Sequence, residues 1–166
     1  YHDGVHYCLE TGLMVGTSET TFAPVMETSR AMIATILWRL SGSPKATAEM
    51  TFPDCEADSG YAQAVAWCAE VGVVKGYDSG DFYPDAPITR EQLAVMLWRY
   101  AGSPTAHQTL SFPDTDRISD YALEAVRWAA ENGIVLGHSD GRFEPQGLTT
   151  RAQVAAMLQR FLEENA

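Results

Sequence analysis

Three arginines, Arg30, Arg90 and Arg151, each directly follow a hydroxyl residue, Ser29, Thr89 or Thr150, and each opens a stretch of good helix formers. A hydroxyl side chain in that place caps a helix N-terminus, so the arginine falls in the first turn, where the aligned peptide dipoles leave partial positive charge. A cation there costs on the order of 0.3–1 kcal/mol unless something negative compensates it. Three equivalent placements therefore point to a compensating anion. A guanidinium beside free first-turn N–H groups would grip a carboxylate with two parallel donors. The other reading is internal, an ion pair to Asp54, Asp114 or a neighbouring glutamate that holds adjacent parts of the chain together.

A second column, Arg39, Arg99 and Arg160, follows nine residues later on the same helices. Near a helix C-terminus a cation suits the dipole without any ligand, so these are read as structural. Trp38 and Trp98 directly precede the first two, whereas Gln159 precedes the third, so the core does not demand an aromatic there. A partly exposed indole beside an anion site suits a sugar face, and a packing contact between parts of the chain is the alternative. Glu10, Glu70 and Glu131, acids near helix C-termini, are read as structural hydrogen-bond acceptors.

Other chemistry is sparse. His2, His6, His107 and His138 share no repeated position, no serine or cysteine stands in a nucleophile setting, and no glycine-rich loop leads into a helix in phosphate-binding order. Asp78-Ser79-Gly80-Asp81 lacks the spacing and terminal glutamate of a calcium loop. The reading is of a non-enzyme with no cofactor and no metal. Cys8, Cys55 and Cys68 are odd in number and follow no metal-ligand spacing, and are expected to be buried free thiols.

The elements that position the arginines come in three copies of a roughly 60-residue unit. Gly16, Gly76 and Gly137 are each followed six residues later by Phe22, Phe82 and Phe143, then by Pro24, Pro84 and Pro145, then by the first arginine column. Gly12, Gly72 and Gly133 precede the first glycine by four. Ala62 to Glu70 and Ala122 to Glu131 read as a first helix ending at a glycine suited to the left-handed C′ position. An extended arm and a turn follow, Ser79-Gly80 or Asp140-Gly141. The second helix starts at the hydroxyl residue, with Gln92 and Gln153 completing a capping box in the latter two copies. Its apolar stripe, Ile33, Ile36, Leu37 and Leu40, recurs as Leu93, Met96, Leu97 and Tyr100, and as Val154, Met157, Leu158 and Phe161.

The units are expected at 1–44, 45–104 and 105–166, with Pro44 and Pro104 stopping one copy and launching the next. The first is expected to be incomplete, the chain opening at Tyr1 with the first helix already under way and without the Phe52-Pro53-Asp54 or Phe112-Pro113-Asp114 entry of the others. One copy has too little core to stand alone. The expected fold is therefore mainly α, a single pseudo-threefold body with the three second helices as a central bundle, the first helices outside and short extended arms.

The chain of 166 residues is 46% apolar and 20% charged, the composition of a packed globular protein. Its net charge of −11 repels nucleic acid and anionic membranes, and no run of Lys and Arg offsets that field. No apolar stretch is long enough to insert in a membrane.

Phe-x-Asp, an Ala-Val helix, Gly-x-x-x-Gly, an Asp-Gly turn, Phe-x-Pro and then Ile88-Thr89-Arg90-Glu91 together resemble the S-layer-homology repeat, which usually occurs in threes. Thr150-Arg151-Ala152-Gln153 is nearly as close, Ser29-Arg30-Ala31-Met32 the most divergent, and the resemblance covers nearly the whole chain. It implies a three-pronged unit on the bacterial cell surface that binds a pyruvylated secondary cell-wall polymer in grooves between neighbouring repeats. A pyruvate ketal is a carboxylate, in keeping with the arginine argument. The aromatic that opens the first helix in such repeats is matched by Tyr121 in the third copy and by Tyr61 in the second, which is one residue shorter there. The ligand-binding set expected is thus Arg30, Arg90, Arg151, Trp38, Trp98, Asp54, Asp114, Tyr61 and Tyr121. A module that docks other surface proteins is the rival reading.

Overall fold

Three first helices, α1 (His2–Glu10) and the alanine-rich α3 (Ala62–Glu70) and α5 (Leu123–Glu131), alternate with three second helices built by the striped segments, α2 (Arg30–Leu40), α4 (Arg90–Tyr100) and α6 (Arg151–Glu164). The computed structural model describes residues 1–165; Ala166, the last residue of the third unit, lies outside them. Each first helix runs into its glycine, Gly12, Gly72 or Gly133, at φ of 71°, 81° and 66°, the left-handed stop that a side chain would strain. α1, like α3 and α5, is nine residues long, and Tyr1 stands directly before it as Tyr61 does before α3. In the third unit a short 3₁₀ turn, Asp120–Ala122, takes up the extra residue.

Each second helix is capped as its hydroxyl predicts. The Ser29, Thr89 and Thr150 side chains accept from the N–H of Met32, Gln92 and Gln153. Gln92 and Gln153 return the bond to the cap N–H, at 3.1 and 2.9 Å, and in the first unit the Met32 sulfur takes that place at 3.5 Å. Between the helices the arm folds tightly: a Cβ on Gly76 would lie 2.8 Å from Phe52, and one on Gly137 2.9 Å from the Gly141 carbonyl. Among the described residues the extended pairing amounts to three isolated antiparallel bridges, Glu27 with Thr150, Ser29 with Pro87 and Thr89 with Leu148. No helix is long and apolar enough to cross a membrane.

The stripes are buried as predicted, with Ile33, Leu37, Leu93, Leu97, Val154 and Leu158 fully enclosed in one continuous core. Their closest backbone approaches are to the first helices. Each second helix packs closely against the first helix of the next unit: α2 on α3, α4 on α5, and α6 back on α1. The reason is a column of small residues on the first helices, Gly4, Ala64 and Ala125, which lets backbones approach. A Cβ on Gly4 would meet the Ala156 backbone at 2.9 Å. One turn on, Cys8 and Cys68 are fully buried against the Ala155 and Ala34 carbonyls, with Ala129 at the corresponding place in α5. All three cysteines are free, as expected. The second helices themselves meet at their far ends, where Tyr100 lies edge-on to Phe161 at 6.0 Å and bonds the Ser41 hydroxyl at 2.9 Å.

At the opposite end the three chain segments entering the second helices close a ring. Thr28 N–H donates to Thr149 O (2.9 Å), Thr149 N–H to Ile88 O (3.2 Å), and Ile88 N–H to Thr28 O (2.8 Å). The first-turn donors of each helix are likewise taken by the next unit, Arg30 and Ala31 N–H by Ala86 and Pro84 O, Arg90 and Glu91 by Gly147 and Pro145, and Arg151 and Ala152 by Met26 and Pro24.

Candidate functional site

Those bonds correct one expectation about the arginines. The first-turn N–H groups of α2, α4 and α6 are spent on neighbouring carbonyls and on the capping hydroxyls, so among the described residues none of these three N-termini offers free donors to an anion. The guanidinium must act on its own.

Arg30, Arg90 and Arg151 are 6–7% exposed and reach across to the next unit's arm. Arg30 Nε donates to Phe82 O (2.8 Å), Arg90 Nε to Phe143 O (2.6 Å) and Arg151 Nε to Phe22 O (2.8 Å). One terminal nitrogen of each reaches a second carbonyl on the same arm, Lys75, Leu136 or Val15. Each guanidinium lies over the ring of the phenylalanine it bonds, 4.7, 5.1 and 4.5 Å from the centroid. Burial lowers the pKa of all three from the ordinary arginine value, the cost of holding a charge that no carboxylate touches.

The alternative reading, an ion pair to Asp54 or Asp114, is not made, because those carboxylates bind backbone instead. Asp54 accepts from Phe82 N–H (2.9 Å) and Tyr83 N–H (2.7 Å), and Asp114 from Phe143 N–H (2.9 Å) and Glu144 N–H (2.8 Å). Partial burial works to raise both acids, but the backbone N–H bonds outweigh it and hold them below the usual aspartate value. Tyr83 and Glu144 sit at φ of 57° and 55°, so the aspartates brace a strained turn. Phe82 and Phe143 are thus clamped on both sides, N–H by an aspartate and C=O by an arginine.

Beside each arm a groove opens, and each draws on all three units. Groove 1, about 380 Å³, has Arg30 of the first unit, Tyr77, Gln92 and Arg99 of the second, and Tyr121 of the third. Groove 2, about 220 Å³, has Arg90, then His138, Gln153 and Arg160, then Tyr1. Groove 3, about 500 Å³, has Arg151, then Thr17, Met32 and Arg39, then Tyr61. Every groove therefore holds one arginine from each column, and among the described residues none of these six makes a salt bridge. In groove 1 burial depresses the pKa of Arg99 and the like charge of Arg30 depresses it further.

Of the residues expected to bind ligand, Arg30, Arg90, Arg151, Tyr61 and Tyr121 do line grooves. Asp54 and Asp114 stand behind them as braces. Trp38 and Trp98 are placed elsewhere: each indole N–H donates to a linker carbonyl of its own unit, Pro44 O at 2.7 Å and Pro104 O at 2.8 Å. The Arg39, Arg99 and Arg160 column, read as structural, faces the grooves. No local signal marks it, because the other wall comes from units distant in sequence. Glu91 also went unread. It is 4% exposed where the other copies have Ala31 and Ala152, and its carboxylate accepts from Ser119 N–H (3.0 Å), Ser119 Oγ (2.7 Å) and the Tyr121 hydroxyl (3.3 Å). Burial and the Glu91 charge push the Tyr121 phenol up to about 12. Glu70 and Glu131 accept from the Thr47 and His107 N–H groups and tie each linker to its own first helix.

Known proteins share this pattern. An endoglucanase of Bacillus sp. (strain KSM-635) is 32% identical over 160 residues, covering 92% of this chain and 17% of that protein. The S-layer protein sap of Bacillus anthracis is 33% identical over 136 residues, 77% of this chain and 15% of its own length. The cellulosome-anchoring protein of Acetivibrio thermocellus is 27% identical over 149 residues, 86% of this chain and 33% of its own. The chain thus spans a third or less of these relatives. The family model for the S-layer homology domain matches residues 51–94 and 111–155, the second and third units, and the first unit repeats their helix, arm and helix. The chain belongs to the S-layer homology domain family.

Proposed function

We propose that this chain is a non-catalytic anchoring module of the bacterial cell surface, which holds its parent protein on the wall by binding an anionic, carboxylate-bearing secondary wall polysaccharide in its inter-unit grooves. The observation that carries the reading is the pair of arginines without a carboxylate partner in each groove, on a chain whose net charge is −11. Desolvated cations of this kind bind a carboxylate bidentately and recover part of their burial cost when they do so. A pyruvate ketal on a sugar supplies such a group. The fold supports the reading through the closed ring Thr28–Thr149–Ile88 and the cyclic packing of α2, α4 and α6, which we take as a pseudo-threefold arrangement of three units. The relatives named for S-layers and cellulosome anchoring agree with a place at the wall.

The Arg39 and Arg99 side chains make no hydrogen bond to the rest of the described chain, so Arg39→Gln with Arg99→Gln is the clean test. The double variant is expected to melt as the unaltered chain does and to lose sedimentation with purified cell walls. Walls stripped of their attached polymer by acid are expected to release the unaltered protein too. Retention on stripped walls would instead favour protein docking, for which groove 3 is the better surface, with Met32 in the place of Gln92 and exposed Val15 and Met26 at its edge.

A further inference from the structure

The three grooves share their arginines but not their walls. At the position after the arm glycine the residues are Tyr77, Thr17 and His138, and groove 1 alone sets two tyrosine rings, Tyr77 and Tyr121, beside its guanidinium pair. Both rings are fixed from behind. The Tyr77 hydroxyl accepts from Gln92 Nε2 at 2.8 Å, its ring lies 4.9 Å from the Arg30 guanidinium and edge-on to Tyr83 at 5.0 Å, and Tyr83 is braced by Asp54. Gln92 is itself held by its capping bond to Thr89 N–H. The Tyr121 hydroxyl is held by buried Glu91, which Ser119 anchors with two further bonds. Neither latch recurs: Ala31 and Ala152 replace Glu91, and Met32 replaces Gln92 in groove 3.

A buried carboxylate that serves only to hold one tyrosine and its adjoining turn is a costly device where alanine suffices in two other copies. Yet both rings stay accessible, Tyr77 at 42% and Tyr121 at 55%. Fixed, open aromatic faces beside paired cations match a pyranose that bears a carboxylate: the C–H face of the ring meets the π surface while the carboxylate meets the arginines. On the strength of the glycan reading above, we infer that groove 1 is the principal binding site, a pre-assembled aromatic clamp for the sugar ring, with Glu91 and Gln92 as its positioning residues. Grooves 2 and 3 hold the charge without the clamp and bind the same sugar more weakly.

The probe is the methyl glycoside of an N-acetylhexosamine carrying a 4,6-linked pyruvate ketal, titrated calorimetrically into the whole chain. One dominant site per chain is expected. Tyr77→Thr, which installs the groove 3 residue on an exposed position, should weaken that site at least 10-fold with an unchanged melting curve. Glu91→Ala should weaken it several-fold, and Glu91→Gln, which still accepts from Ser119 N–H, should restore most of the loss. Saturating the tyrosine ring protons by NMR should transfer to the pyranose ring protons in the unaltered chain and fade in Tyr77→Thr, a signal that a merely structural role would not move. If Arg39→Gln abolishes the dominant site and Tyr77→Thr leaves it intact, groove 3 is the principal site and the inference is overturned while the glycan reading stands. If the protein sediments with intact walls but does not bind the probe, the clamp is likewise overturned. Failure to prefer intact over stripped walls removes the glycan reading itself.

Discussion

Arg90→Ala separates the structural work of the first arginine column from its charge. Arg90 Nε donates at 2.6 Å to the carbonyl of Phe143, a residue with no exposed surface, and a terminal nitrogen donates at 3.0 Å to Leu136 O, on a residue 51% exposed. A hydrogen bond from a charged donor to a buried carbonyl is worth about 1.5–3 kcal/mol, and water cannot readily replace it here. The Leu136 carbonyl is reachable by water, so its loss adds at most about 0.5–1 kcal/mol. The guanidinium also covers the Phe143 ring at 5.1 Å. Set against these, removing a desolvated cation returns some stability, as its lowered pKa implies. The expected net loss is about 2–4 kcal/mol, a large part of the roughly 5–15 kcal/mol of a typical domain. Arg90→Lys should recover less than half, because one ammonium cannot serve two carbonyls in the fork geometry. Urea titrations followed together by far-ultraviolet circular dichroism and tryptophan emission measure this directly, and the two probes should coincide because Arg90 joins the second unit to the third. A loss below about 1 kcal/mol with an unchanged slope would refute the view that these arginines clamp the arms.

Leu97→Asp places a charge at a fully enclosed position and should cost several kcal/mol, abolishing a single cooperative melt; separate melting of the units would contradict the continuous core. The aspartates give a pH dependence: with folded-state pKa values held below the unfolded value near 3.9, Asp54 and Asp114 contribute stability that is complete above about pH 5 and lost as pH falls through their folded pKa. Asp54→Asn with Asp114→Asn should flatten the fall in melting temperature between pH 5 and 3, and an unaltered slope would show that the braces do not matter. Burial pushes the thiols of Cys8 and Cys55 up to about 11 and Cys68 to about 12, so a disulfide reagent at pH 8 should find no reactive thiol in the folded chain and three after denaturation; rapid labelling of the native protein would refute their burial.

The helices were legible in the sequence because their signals are local. A hydroxyl at the cap, a glutamine three residues on and an apolar stripe marked α4 and α6, and good helix formers ending at a glycine placed α3 at its observed bounds and α5 within one residue. Which helices pack together was not legible. The stripe on α4 reads the same whether its partner is α2 or α5, and only the small residues Gly4, Ala64 and Ala125 mark the first helices as the close neighbours. A cation at a helix N-terminus does need compensation, but here carbonyl oxygens and a phenylalanine face supply part of it, and they come from a unit some fifty residues away in the chain. That Glu91 is buried and that the second arginine column, read as structural, faces the grooves was hidden for the same reason, since what they face is set by the closed ring and not by their neighbours in sequence.

The mixed parentage of the grooves constrains how such a chain can change over generations. Groove 1 takes an arginine from the first unit, a wall from the second and a tyrosine from the third, and the other two grooves permute the same roles. Each unit is therefore heir to three sites at once. A substitution that tunes one groove is inherited by the ring as a whole, and a unit duplicated alone would bring an arginine without a wall and a tyrosine without a partner. Duplication in sets of three is the step that adds a complete groove, and each groove can diverge through its own lining residues, as Tyr77, Thr17 and His138 show.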